Sequence, residues 1–156
     1  MNSKDVIAEL DAKHGVFING HGVGTASTFD VLDPATCTVI AEIADGTASE
    51  ATSAVEAAAG AFPDWAATAP RVRAEILRRA FDLIVEHTDQ LVTLICAENG
   101  KPQADARAEV AYAAEFFRWY SEEAVRTEGS YGVSPAGGTR TIVARKPVGV
   151  AALVTP

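Results

Sequence analysis

Over the first third of the chain, apolar and polar positions alternate in short runs broken by Gly, Asn, Asp and Pro, the pattern of hairpin strands. "VFING" runs into "HGVGTAS", with Asn19-Gly20 as a strong hairpin-turn signal. "TFDVLDPATCTVIAEI" gives two strand-like runs around an Asp33-Pro34 turn, and Thr38, Val39, Ile40 and Ile43 supply β-branched side chains. The period then lengthens to that of a helix. Thr47-Ala48-Ser49-Glu50 fits a capping box, and the Ala-rich segment behind it predicts a helix as far as Pro63. A second helix is predicted from Pro70, with Val72, Ile76, Ala80, Leu83 and Ile84 as its inward stripe. Thr88 is the expected cap of a third, with Leu91, Leu94 and Ile95 inward and an end at Asn99-Gly100. Pro102 opens the longest helix, expected to reach about Glu128 with Ala106, Val110, Ala113, Phe117, Tyr120 and Ala124 inward.

Gly129 to Gly138 reads as a Gly/Ser/Pro linker, and "TRTIVARK" as a strand with one polar, exposed face. "RKPVGVAALVTP" follows. From Pro147 onward it carries no charge, and Val148, Val150, Leu153 and Val154 predict a strand buried on both faces, as in the middle of a parallel sheet. A parallel neighbour needs a crossover helix and another strand, and the 156 residues provide neither. The expected class is therefore α/β, with hairpin strands, several helices and the start of a parallel sheet that stays incomplete. The pattern reads as that of a truncated chain.

Composition narrows the function classes. The hydrophobic fraction of 48% and charged fraction of 22% are those of a globular protein able to bury a core. Thirteen Lys+Arg against 21 Asp+Glu give a net charge of -8, which argues against nucleic acid as a partner. No segment has transmembrane length, and "MNSKDVIAELDAKHG" lacks the apolar stretch of a secretory signal. With Cys37 and Cys96 far apart and outside any C-x-x-C, the expectation is a cytoplasmic protein with two reduced thiols and no membrane partner.

No catalytic set emerges from spacing alone. "GHGVG" lacks the preceding core strand and following helix of a dinucleotide turn, so it reads as a hairpin loop. "NGKP" has Pro102 where a phosphate loop needs Ser or Thr, and reads as a helix end followed by a helix start. Cys96 falls on an apolar helix side and Cys37 in a turn without a nearby His. His14, His21 and His87 have no metal-ligand spacing. "EFFRWYSEEA" is the richest aromatic patch. Its bland reading is packing, and its sharper one is the wall of a ligand tunnel.

Five stretches in register carry a resemblance: "FING", "FDVLDPAT..TVIAEI", "A.AAFPDWAAT.P..RAEILRRA.DLI", "AENGKP..DARAEVAYAAEFFRWYSEEA" and "RKPVGVAALVTP". Together they resemble the aldehyde dehydrogenase superfamily, within it the succinate-semialdehyde dehydrogenase group, over nearly everything from Val16 to Pro156. One departure is Cys37, where that family usually has glycine. The resemblance implies oxidation of a small-molecule aldehyde to its carboxylic acid with NAD or NADP. A thiolate attacks the aldehyde, hydride passes to the nicotinamide, and a glutamate activates water. It places that cysteine, the glutamate and an oxyanion-binding asparagine beyond Pro156, so the chain as given is expected to be inactive and to bind the dinucleotide poorly.

The resemblance also implies a division of the chain. Residues 1–15 would be an N-terminal extension and 16–128 the strands and helices of a cofactor-binding domain. Residues 129–146 would be a ribbon through which the protein forms a homo-oligomer, and 147–156 the first strand of the dinucleotide-binding sheet. Val154, Thr155 and Pro156 would then contact the cofactor, and Tyr112 and Phe116 would face the substrate tunnel. Glu98, with the Leu32 carbonyl, would help hold a monovalent cation. A competing expectation is a non-catalytic interaction protein that associates with a full-length dehydrogenase through exposed strand edges. A small helical domain with a chance resemblance is the third.

Overall fold

The computed structural model describes residues 5, 6 and 15–155; the expectations for His14, Pro156 and most of the 1–15 extension lie outside the described residues. Among the described residues six strands and four long helices follow one another: β1 (Val16–Ile18), β2 (His21–Val23), β3 (Thr28–Leu32), β4 (Val39–Ala44), α1 (Ala48–Ala67), α2 (Pro70–Glu86), α3 (Thr88–Asn99), α4 (Gln103–Glu123), β5 (Ser130–Val133) and β6 (Arg140–Val143). This is the α/β class, with the strands among the described residues in three separate antiparallel hairpins, β1–β2, β3–β4 and β5–β6, and no closed sheet among them.

Local chemistry explains the two N-terminal hairpins. Asn19 and Gly20 both take positive φ, 51° and 79°, as a primed two-residue turn requires. In the β3–β4 turn the Asp33 carboxylate accepts from the Ala35 N–H at 2.8 Å, and the Asp33 carbonyl accepts from the Cys37 N–H at 2.8 Å. Cys37 is forced to φ 56°, the left-handed region, and the strand register shifts at Val31/Leu32.

The capping box forms. The Ser49 N–H donates to the Thr47 hydroxyl at 3.2 Å, and Glu50 accepts from the Thr47 N–H at 2.7 Å. Hydrogen bonds from the Thr47 hydroxyl first, and from backbone N–H groups second, hold the Glu50 carboxyl below its ordinary value. Pro63 does not end α1, which runs on through it to Ala67. The chain leaves the helix at Thr68, with ψ 133°, and Ala69, held out of the helical region by the proline that follows it, stays extended at ψ 140° before Pro70 takes the first position of α2. Thr88 is not a cap either. Its hydroxyl donates back to the Ile84 and Val85 carbonyls, and α3 continues almost directly from α2 around His87.

The core lies where α2 and α3 pack on α4. Val92, Ala106 and Val110 are buried, with Ile84, Leu91, Ile95 and Cys96 packed against them. Two expected stripes are kept only in part: Ile84 on α2 and Ala106 and Val110 on α4 turn inward as expected. On α2 the buried position is Ala74, while Val72, Ile76 and Leu83 face outward. On α4 the inward set is Ala106, Val110, Ala114 and Ser121, while Ala113, Phe117 and Tyr120 are exposed and Ala124 lies just past the helix end. Ala74 and Ser121 border the same small depression, so the close approach of α2 to α4 rests on small side chains there. That approach selects which of two nearly equivalent apolar stripes turns inward. α4 also stops at Glu123, five residues short of expectation.

The expected linker after α4 contains strand β5. It pairs with β6 from Ser130↔Val143 to Val133↔Arg140, and every residue of both strands is exposed. The final stretch differs from its reading as a buried strand. Residues 144–155 have no strand partner among the described residues, and Val148, Leu153 and Val154 are 97%, 89% and 96% exposed.

Candidate functional site

On α4, Tyr112, Phe116, Trp119 and Tyr120 follow the i, i+4, i+7, i+8 spacing of one helical face. Tyr112 stands two residues from buried Val110, about 200° around the helix at about 3.6 residues per turn, so this face turns away from the core. The Tyr112 and Phe116 rings meet edge to face, with centroids 4.9 Å apart at 84°. With Glu115, Trp119 and Tyr120 they border an open depression of about 300 Å³. The structure brings together the two residues assigned to a tunnel wall. The depression can bind apolar surface, and it contains no nucleophile.

The segment assigned to the cofactor offers much less. Val154 and Thr155 are exposed, and nothing among the described residues forms a cradle around them. Pro156 falls outside. These residues alone do not fit a dinucleotide, which needs a strand-to-helix turn to meet its pyrophosphate.

Glu98 lies in the last turn of α3, and Leu32 ends β3. Gly100, with φ 67°, closes α3 so near the β3–β4 turn that a Cβ there would stand 3.1 Å from Pro34 Cγ. The helix end and the hairpin that carry the two assigned ligands are thus adjacent. Glu98 is exposed, and no group of three or more His, Cys, Asp or Glu able to hold a metal occurs among the described residues.

Cys37 is exposed and Cys96 half-buried beside the core; neither thiol is hydrogen-bonded among the described residues. No described helix is long and apolar enough to cross a membrane. The sequence reading missed a basic concavity at the junction of α1, α2 and the ribbon. Its residues come from three distant segments, so no spacing signal could have grouped them.

The aldehyde dehydrogenase family model matches residues 23–156. Among curated relatives, a succinate-semialdehyde dehydrogenase from Paenarthrobacter nicotinovorans is 52% identical over 118 residues, covering 76% of this chain and 26% of that protein. A succinate-semialdehyde dehydrogenase structure from Burkholderia pseudomallei superposes with a TM-score of 0.75 at 38% identity, over 79% of this chain and 26% of that one. A betaine aldehyde dehydrogenase from Staphylococcus aureus, solved in complex with NAD+, gives a TM-score of 0.84 at 25% identity, over 94% of this chain and 30% of that one. The chain spans about a quarter of the length of the curated relative.

Proposed function

This chain belongs to the aldehyde dehydrogenase family, and from that premise we propose that it forms the N-terminal portion of an NAD(P)-dependent enzyme. That enzyme oxidises succinate semialdehyde, or a similar aldehyde, to its carboxylic acid. The observation that carries this reading is the tail. Residues 147–155 carry no charge and have no strand partner among the described residues, with Val148, Leu153 and Val154 almost wholly exposed, yet they lie within the family match. Each Val or Leu left in water there forgoes about 1.5–3 kcal/mol of burial, a loss that neighbouring strands would recover.

In this reading residues 16–128 contribute strands and helices to the cofactor-binding domain, 129–146 pair with another subunit, and 147–156 enter the dinucleotide-binding sheet. Val154, Thr155 and Pro156 touch the cofactor through backbone and apolar contact. Tyr112 and Phe116 wall the aldehyde's approach, and Glu98 with the Leu32 carbonyl serves a monovalent cation. The semialdehyde assignment rests on the relatives the chain resembles. Neither Cys37 nor Cys96 acts as the nucleophile: one sits in an exposed turn, the other packs beside the core, and neither has a hydrogen-bonded base among the described residues. The chain alone therefore does not turn over.

The test is a chimera in which this chain replaces the matching section of the Paenarthrobacter enzyme. Retained NAD(P)-dependent oxidation of succinate semialdehyde is expected. A folded chimera without turnover on any semialdehyde would contradict the proposal. A second reading, a non-catalytic protein that docks on a dehydrogenase through strand edges, is favoured by the fully exposed β5–β6 ribbon. It predicts co-purification of the separate chain with an active dehydrogenase.

A further inference from the structure

Where the end of α1, the start of α2 and the two approaches to the ribbon meet, they enclose a concavity of about 350 Å³. Trp65, Arg73, Thr127, Arg145 and Lys146 line it, and no carboxylate does, in a chain with 21 acidic and 13 basic residues. It shares no residue with the aromatic depression on α4.

None of these three cations belongs to an ion pair among the described residues. Two are held in place by backbone. The Arg73 guanidinium donates to the Thr68 carbonyl, and Arg145 donates through Nε to the Glu128 carbonyl at 2.8 Å. Each bond fixes a guanidinium along one edge and leaves further N–H donors uncommitted. Lys146 makes no hydrogen bond among the described residues. Three clustered cations, with no carboxylate among the described residues that line the concavity, create a local positive potential on a protein of net charge -8. Pre-positioned guanidinium donors, an ammonium and a hydroxyl are the donor set a tetrahedral oxyanion takes. The indole of Trp65, 47% exposed, adds a flat apolar wall.

We propose that this concavity binds a phosphate group, either free or as the monoester of a small aromatic compound. The site does not depend on the proposed oxidation. The test is titration of the 156-residue chain with inorganic phosphate and with phenyl phosphate at constant ionic strength, followed by calorimetry and Trp65 fluorescence. Saturable one-to-one binding is expected, weakened about ten-fold by Lys146→Gln, as befits one lost charge-assisted hydrogen bond. Lys101→Gln, whose lysine pairs with Glu109 on α4, should leave it unchanged. Arg145→Gln, checked for folding by circular dichroism, gives an independent second loss. Tighter binding of phenyl phosphate, abolished by Trp65→Ala, would identify an aromatic monoester; equal binding would identify free phosphate. A titration that does not saturate, or one that Lys146→Gln and Lys101→Gln change alike, overturns the proposal.

Discussion

Cys37 holds a left-handed backbone conformation that its Cβ resists, at φ 56°. For an L-residue this costs about 1–2 kcal/mol. The turn keeps it there through the Cys37 N–H bond to the Asp33 carbonyl and the Asp33 N–H bond to the Thr38 carbonyl. Cys37→Gly removes the strain but adds about 0.5–1 kcal/mol of unfolded-state entropy. Relief of strain outweighs that entropy, so the substitution should stabilise the chain by roughly 0.5–1 kcal/mol. A rise in the urea midpoint with an unchanged slope would bear this out, and a fall would refute it.

Among the elements, α2 shows where pattern reading stops. Val72, Ile76 and Leu83 make an apolar stripe as good as the one through Ala74, and only the partner helix distinguishes them. Truncation of a buried position and of an outward one should therefore differ. Val110→Ala on α4 removes two methyl groups at about 0.8 kcal/mol each and leaves a cavity, so it should cost about 1.5–2.5 kcal/mol. Ile76→Ala, half-exposed in the isolated chain, should stay within about 0.5 kcal/mol. Equal losses in thermal or urea unfolding would mean the α2 faces are assigned the wrong way round.

The same contrast explains what was legible. Asn19-Gly20, the Thr47–Glu50 box, Pro70 and Gly100 each specify backbone by chemistry within a few residues, and each is where the sequence places it. Of the inward stripes, Ile84, Leu91, Ile95, Ala106 and Val110 lie where the sequence places them, whereas the outward turn of Val72, Ile76, Leu83, Phe117 and Tyr120, the passage of α1 through Pro63 and strand β5 depend on tertiary packing or pairing, and sequence pattern missed them. The aromatic ledge was legible because it lies on one helix. The basic concavity was not, because it needs the fold to exist.

At the scale of the whole molecule, residues 147–155 matter most. A stretch with no charge, rich in Val and Leu, lies in water beside a helical core that is already closed around Val92, Ala106 and Val110. Its composition suits a strand flanked on both sides, and these 156 residues provide no flanking strand among those described. Amide hydrogen exchange decides the matter most directly. In the isolated chain, the amides of 148–154 should exchange at the rate of unstructured peptide while those around Val92 and Val110 are protected; in the chimera the same tail amides should become protected. Protection of 148–154 in the isolated chain would mean that this segment is already paired within its own residues, and would contradict its assignment to a sheet completed by other strands.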